Sequence, residues 1–192
     1  MPDGLPRHWA TAFAYTCAMA RHEGKLSVLD HGGQLGRYET VARLALPDDD
    51  IQYSVEELPE ICEIGRSVRP WISFQTAKQT AGTFDLVFAS GSVQYVENWE
   101  AEFARLAGLS KRYFFLTRAP IVHRSPSTIV RQRIPHGHMT GWVWQDREVR
   151  RVGRELGLQL TQFFVFHEGK TQISGLEEPV SEVGYLFSRR PV

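Results

Sequence analysis

The chain has 192 residues, 42% of them hydrophobic, and its 22 Lys+Arg balance 22 Asp+Glu to a formal net charge of zero. That size and apolar content suit one core-forming domain, 1–192, and the balanced charge excludes the basic excess of a nucleic-acid-binding surface. Cys17 and Cys62 lie in helix-like stretches without ligand or redox spacing, which points to buried thiols in a reducing compartment rather than a disulfide framework.

Met1–Arg7 carries two prolines and a glycine, not a basic segment leading into an apolar one, and the apolar stretch Ala10–Ala20 is too short to span a bilayer. A cytoplasmic protein without membrane insertion is the expectation. Trp9, Phe13, Cys17 and Ala20 recur at helical intervals and predict an amphipathic helix over Trp9–Arg21. A strand follows at Leu26–Asp30, then a helix over Gly36–Leu46 closed by Pro47 and Asp48-Asp49-Asp50. Ile51–Glu56 reads as a second strand and Leu58–Ser67 as a helix with Pro59 in its first turn. Trp71–Phe74 and Phe84–Ala89 read as the third and fourth strands, the latter continuously apolar after Asp85. A helix at Glu97–Ala107 and a fifth strand at Arg112–Thr117 complete a βαβ alternation that implies a parallel sheet.

The alternation then breaks. Arg118–Met139 has three prolines, three histidines and no sustained periodicity, and we read it as a structureless lid crossing the sheet edge. A helix at Gln145–Leu156 follows; its arginines alternate with acids, as on a solvated face. Leu158–His167 and Val183–Arg189 close the chain as an antiparallel pair. The expected fold is thus a three-layer α/β domain with a seven-stranded, mostly parallel sheet and an antiparallel last strand beside the fifth.

The chemistry gathers at Asp30-His31-Gly32-Gly33-Gln34-Leu35-Gly36, between the first strand and its helix. Glycines there allow φ > 0 and close backbone approach, and the helix start offers unpaired N–H groups, so this sheet edge is where a nucleotide-like cofactor binds. A phosphate-binding loop fails, because Gly169-Lys170-Thr171 has Phe164 where the first glycine belongs. A G-x-G-x-x-G fingerprint fails as well, and no tyrosine has a lysine four residues on, so nicotinamide-dependent oxidoreduction is the weaker alternative.

Strand-Asp-x-Gly, an acid ending the second strand, Phe-Asp-Leu-Val in the fourth and a closing antiparallel pair together resemble a class I S-adenosylmethionine-dependent methyltransferase. Within it, Val28-Leu29-Asp30-x-Gly32-Gly33-x-Leu35-Gly36, Ser90-Gly91-Ser92-Val93-Gln94-Tyr95, Arg118-Ala119-Pro120 and Gln132-Arg133-Ile134-Pro135 are similar to a branch encoded in surface-polysaccharide biosynthesis loci. The chain departs from these relatives at Gln34, usually glycine, at His31, usually aromatic in the branch, and at Thr117, where the branch tends to an acid. The resemblance implies S-adenosylmethionine as cofactor and methyl transfer to an oxygen of a sugar or glycan precursor. A non-catalytic cofactor-binding or scaffolding domain of a polysaccharide system is the alternative.

The cofactor-binding residues it implies are Asp30, Gly32, Gly33 and Gly36 in the turn and Glu56 on the ribose hydroxyls, with Glu57 its rival. Phe74 and Gln75 would border the adenine, and Ser90, Gly91, Ser92, Gln94 and Tyr95 would run beside the methionine portion. Methyl transfer to a hydroxyl needs an aligned acceptor and a proton sink, and histidine suits that role near neutral pH. The candidates are His136 and His138 in the lid, with His123 beside them and His31 in the turn. Arg118 is placed to hold a carboxylate or phosphate, and Trp142 and Trp144 to form an apolar platform. No metal site is expected, since no carboxylate or thiol accompanies His136-Gly137-His138 at ligand spacing.

Overall fold

A computed structural model describes residues 6–134, 137–166 and 171–189. Pro6, extended at φ −60°, starts α1 (Arg7–Ala20), whose Trp9, Phe13, Cys17 and Ala20 stripe is buried as the spacing predicts. β1 (Lys25–His31) runs into the glycine turn, and α2 (Arg37–Ala45) begins after Gly36 in left-handed conformation. β2 (Asp50–Glu56), α3 (Pro59–Val68, with proline in its first turn), β3 (Ser73–Gln75) and β4 (Phe84–Ser90) follow. Beyond a 3-10 turn at Val93–Tyr95, α4 (Trp99–Leu109) is capped by Asn98, whose side chain accepts the Ala101 N–H.

β3, β2, β1, β4 and β5 (Ser110–Val122) lie side by side in parallel, in that order. The last strand, β9 (Ser181–Arg189), inserts antiparallel between β5 and β8 (Leu158–Val165), with α5 (Asp146–Glu155) leading into β8. The seven strands read from the sequence are all present, and the fold is the expected three-layer one. One apolar layer packs α1, α2 and α3 against the sheet through Phe13, Tyr38 and Phe88. The other packs α4 and α5 through Phe103, Phe114 and Phe187.

The stretch 118–139 differs from the expected lid. β5 is 13 residues long and continues through Arg118 to Val122. After a turn, β6 (Thr128–Ile134) and β7 (Gly137–Gln145) form an antiparallel hairpin, which gives the sheet nine strands among the described residues. β7 pairs with β5 at Ile121–Trp144 and Val122–Gln145, while β9 holds Ile121 from the other side. A strand has two edges, so β7 occupies the edge that β4 vacates after Ser90. The hairpin therefore stands over the carboxyl ends of the parallel strands, where ligands of such sheets bind.

Candidate active site

The glycines of the first turn are required by the protein's own packing. Gly32 sits at φ +68°, and a Cβ there would lie 2.4 Å from Cβ of Ser92, whose hydroxyl donates to the His31 carbonyl at 2.8 Å. A Cβ on Gly33 would come within 2.5 Å of the Asp30 carboxyl, and one on Gly36, at φ +70°, within 2.8 Å of Ile72. Side chains are excluded here before any ligand arrives. Gln34 accepts a left-handed φ of +51°, and its N–H donates to Glu57 Oε1 at 3.1 Å.

Asp30 is 1% exposed, with the Tyr53 hydroxyl donating to it at 2.8 Å. Burial raises its pKa to about 7, against the opposing pull of the Tyr53 hydrogen bond and of His31. Its carboxyl is therefore poised between charge states until a cation approaches. Together with the turn, Arg37, Tyr38, Ser90 and Arg118, Asp30 lines a cavity of about 200 Å³. Asp30 brings a buried carboxyl to so small a space, and Arg37 and Arg118 bring two basic side chains, an acceptor and donors of the kind a zwitterionic amino-acid end needs.

Glu56, the last residue of β2, and Glu57 just beyond it face opposite ways. Glu56, expected to be open to ribose hydroxyls, is 2% exposed and turned toward α4. Arg105 of α4 grips both its oxygens, with Nη1 to Oε2 at 3.2 Å, and His31 Nδ1 lies 2.9 Å from Oε1. Burial pushes this carboxyl up, but the hydrogen bonds from His31 and Arg105 outweigh it and hold the pKa at about 2. Glu57 instead faces the glycine turn through Gln34, and its other oxygen accepts the Leu58 N–H at 2.9 Å. His31, Glu56 and Glu102 have donor atoms within 4.8 Å of one another, a set of metal-binding type. Arg105 bonds both carboxylates and already supplies the positive charge a cation would bring.

Phe74 belongs to the core: it is 5% exposed, with its ring against Gly65 of α3, where a Cβ would lie 2.4 Å away. Gln75 is half-buried, and its carbonyl accepts the Glu57 N–H. Ser90 faces the small cavity beside the Tyr38 hydroxyl, 3.4 Å away, and Gly91 turns at φ +65° with its N–H on Thr117. Gln94 and Tyr95 reach a second, larger cavity.

That cavity, about 280 Å³, opens between the hairpin and the sheet edge. Pro120, Val130, Val143, Ile173 and Val180 give it apolar walls, and Trp142 adds an indole whose N–H is tied to the Glu97 carbonyl at 3.1 Å. Its polar residues include Gln94, Tyr95, Arg118, Gln132, Thr171 and Glu182. Gln94, which lines the cavity, is 8% exposed, and its Oε1 is a buried acceptor with no hydrogen-bond partner among the described residues. The segment 171–180 forms one wall, and Glu178 pins it by accepting the N–H groups of His123, Arg124 and Ser125. These bonds, the one from Ser125 foremost, hold the Glu178 pKa at about 2.

The histidines do not gather here. His31 is engaged with Glu56, His123 and His138 are exposed and line neither cavity, and His136 lies outside the described residues. Trp144 is fully buried against Trp99 rather than forming a platform with Trp142. Glu182 went unnoticed in the sequence, because an acid just before an apolar strand reads as a solvated strand end. It faces Pro120 across the β5–β9 ladder, and Arg118 Nε donates to its Oε2 at 3.4 Å.

The sheet order, the glycine turn after β1 and the antiparallel last strand define the class I methyltransferase fold. Among solved structures, the chain is similar to CalS10, described as an amino pentose methyltransferase from Micromonospora echinaspora, at TM-score 0.67 and 13% identity over 97% of this chain and 93% of that one. The glycopeptide N-methyltransferase MtfA matches at TM-score 0.64 and 15% identity over 95% of this chain and 94% of its own. Mitomycin 7-O-methyltransferase MmcR matches at TM-score 0.62 and 13% identity, with 94% of this chain covering 54% of that one. No protein-family model matches the sequence, and neither does any curated protein.

Proposed function

We propose that this chain is an S-adenosylmethionine-dependent methyltransferase whose acceptor is an oxygen of a sugar or glycan precursor, a single domain working in the cytoplasm as part of polysaccharide biosynthesis. The observation that carries the reading is the pair of cavities at the carboxyl edge of the sheet, which share Arg118. The smaller offers charges of both signs around a glycine turn; the larger is apolar with polar groups at its edge. Structures of the same fold have been solved with this cofactor, as for CalS10 and MtfA. CalS10, described as acting on an amino pentose, supports a sugar acceptor.

The cofactor supplies an electrophilic methyl group on a sulfonium. Asp30 would hold its ammonium, Arg118 and Arg37 its carboxylate, and Glu57, in the place first given to Glu56, its ribose hydroxyls. On the acceptor side, Trp142 and the valines give a sugar ring an apolar face, Gln94 Oε1 accepts from a neighbouring hydroxyl, and Glu182 takes the proton of the hydroxyl that attacks. Glu182 is 45% exposed, which lets it pass that proton to solvent.

The test is calorimetric titration with S-adenosylmethionine and S-adenosylhomocysteine beside NADH, followed by a methyl-transfer assay on a panel of sugars and sugar nucleotides. Binding of NADH alone refutes the reading. A second reading is a non-catalytic cofactor-binding domain, favoured by the exposed, weakly held Arg118–Glu182 pair that lines the larger cavity. Tight cofactor binding without transfer to any member of the panel supports it.

A further inference from the structure

Arg118 is where the two cavities meet, and its backbone stands at φ +53°, a region that residues with side chains rarely enter. Such a conformation persists only when the surroundings impose it, and it gathers at functional positions. β5 pairs with β9 on both sides of Arg118, with a register slip between Leu116 and Ala119 that leaves Thr117 and Arg118 bulged out of the ladder. Gly91 lies opposite: a Cβ there would be in ordinary contact with Arg118, 3.5 Å from its Cβ and 3.7 Å from its Cζ.

What the guanidinium touches is sparse. Nε donates to Glu182 at 3.4 Å, with the two side chains 47% and 45% exposed, and among the described residues its terminal nitrogens have no hydrogen-bond partner. A long, half-exposed contact of this kind is weak, whereas a fork of two charge-assisted bonds to a carboxylate is strong. The smaller cavity, which Arg118 also lines, is where the reading above places the carboxylate of the cofactor.

Resting on that reading, we propose that Arg118 exchanges partners: the cofactor carboxylate draws the guanidinium away from Glu182, and the Glu182 carboxylate is released into the larger cavity to accept from the incoming hydroxyl. Arg118 is then a positioning residue that couples the two sites. Until the cofactor is in place, Glu182 is held by its neighbour, and the cofactor binds first. Linkage makes the coupling reciprocal: a group that competes with the cofactor for Arg118 must weaken cofactor binding while it is present.

The experiment uses calorimetric titration of the full chain with S-adenosylhomocysteine and with 5′-methylthioadenosine, which keeps the nucleoside and lacks the amino-acid end. Glu182→Gln should tighten S-adenosylhomocysteine by about two- to fivefold, the upper part of the range for a half-exposed ion pair, and leave 5′-methylthioadenosine unchanged. Arg118→Gln should weaken S-adenosylhomocysteine by about tenfold or more relative to 5′-methylthioadenosine, for loss of a charge-assisted fork. In the Arg118→Gln background, Glu182→Gln should have no further effect. The exchange is overturned if Glu182→Gln leaves S-adenosylhomocysteine unchanged or weaker, if both nucleosides shift together, or if the effect persists without Arg118. Wild-type protein that binds neither compound overturns the cofactor reading itself, and this proposal with it.

Discussion

Replacing Arg105 by methionine isolates the ion-pair cluster beneath the candidate cofactor site. Arg105 bonds both oxygens of Glu56, a carboxylate that is 2% exposed, while His31 supplies the third contact. The fall of the Glu56 pKa from 4.5 to about 2 corresponds to roughly 3 kcal/mol of charge stabilisation in the folded state. His31 survives the substitution, and the Arg105 side chain is 31% exposed, so its share is smaller; Arg105→Met should cost about 2 kcal/mol at pH 7. Because the Glu56 pKa is depressed in the folded chain, this contribution is complete above about pH 4.5 and fades as pH falls toward 2. Urea denaturation of wild type, Arg105→Met, Glu56→Gln and the double variant, at pH 7 and at pH 3.5, measures it. The double variant should recover part of the loss, since the uncompensated buried charge is gone. A cost at pH 7 below about 0.5 kcal/mol, or a double variant no more stable than Arg105→Met, would refute an energetically coupled pair.

Cofactor affinity should separate the two acids: Glu57→Gln should lose about 1–3 kcal/mol for S-adenosylhomocysteine, while Glu56→Gln stays within about twofold. A loss confined to Glu56→Gln, with the fold retained, would return the ribose to Glu56. Asp30, with its pKa near 7, must ionise to meet an ammonium, so affinity should rise with pH up to about 7 and level off above it. Asp30→Asn should remove that slope in titrations run from pH 6 to pH 8. Gly33→Ala should destabilise the fold by about 1–3 kcal/mol because its Cβ meets the Asp30 carboxyl at 2.5 Å, and a normal thermal midpoint would contradict this. Once the sugar panel supplies an acceptor, His123→Ala and His138→Ala should leave turnover unchanged, while Glu182→Gln lowers it at least about tenfold; the opposite pattern would restore a histidine base.

Where the sequence was legible, one physical constraint acted on neighbouring residues. β4 reads as a strand because Leu86, Val87, Phe88 and Ala89 are buried on both faces, and α1 as a helix because only one stripe is buried. The glycine turn was legible as a turn, but its cause was not. Gly32 faces Ser92, sixty residues on, and Gly33 faces a carboxyl whose position depends on Tyr53. Alternation separates Glu56 from Glu57, and the sequence favours Glu56 for the ribose. It carries no sign of Arg105, which reaches Glu56 from α4 and occupies both its oxygens. The β6–β7 hairpin stayed hidden because Arg131, Gln132 and Arg133 leave β6 with little apolar alternation. Its pairing partners, and the apolar contacts that Val130, Val143 and Trp144 make with distant parts of the chain, hold it in place.

Arg118 shows the limit most directly. In the sequence it stands at the end of an apolar run and reads as the first residue past a strand. In the fold the strand goes on, and Arg118 is a bulge inside it, with β9 paired on either side of the slip and β7 joined three residues later at Ile121. An arginine in a loop would be free to find its partner. One held at φ +53° between two cavities is aimed by the ladder around it, and that aim exists only because β7 and β9, from distant parts of the chain, close on the same end of β5. The left-handed backbone follows from the bulge, the shared position from the hairpin over the sheet edge, and the choice between two carboxylates from both. A change that removes the bulge and keeps the guanidinium, such as deletion of Thr117, should therefore weaken cofactor binding as much as Arg118→Gln does. Titration of S-adenosylhomocysteine against that deletion checks it, with circular dichroism to confirm the fold; a folded deletion variant with wild-type affinity would mean that the arginine finds its partner without the ladder.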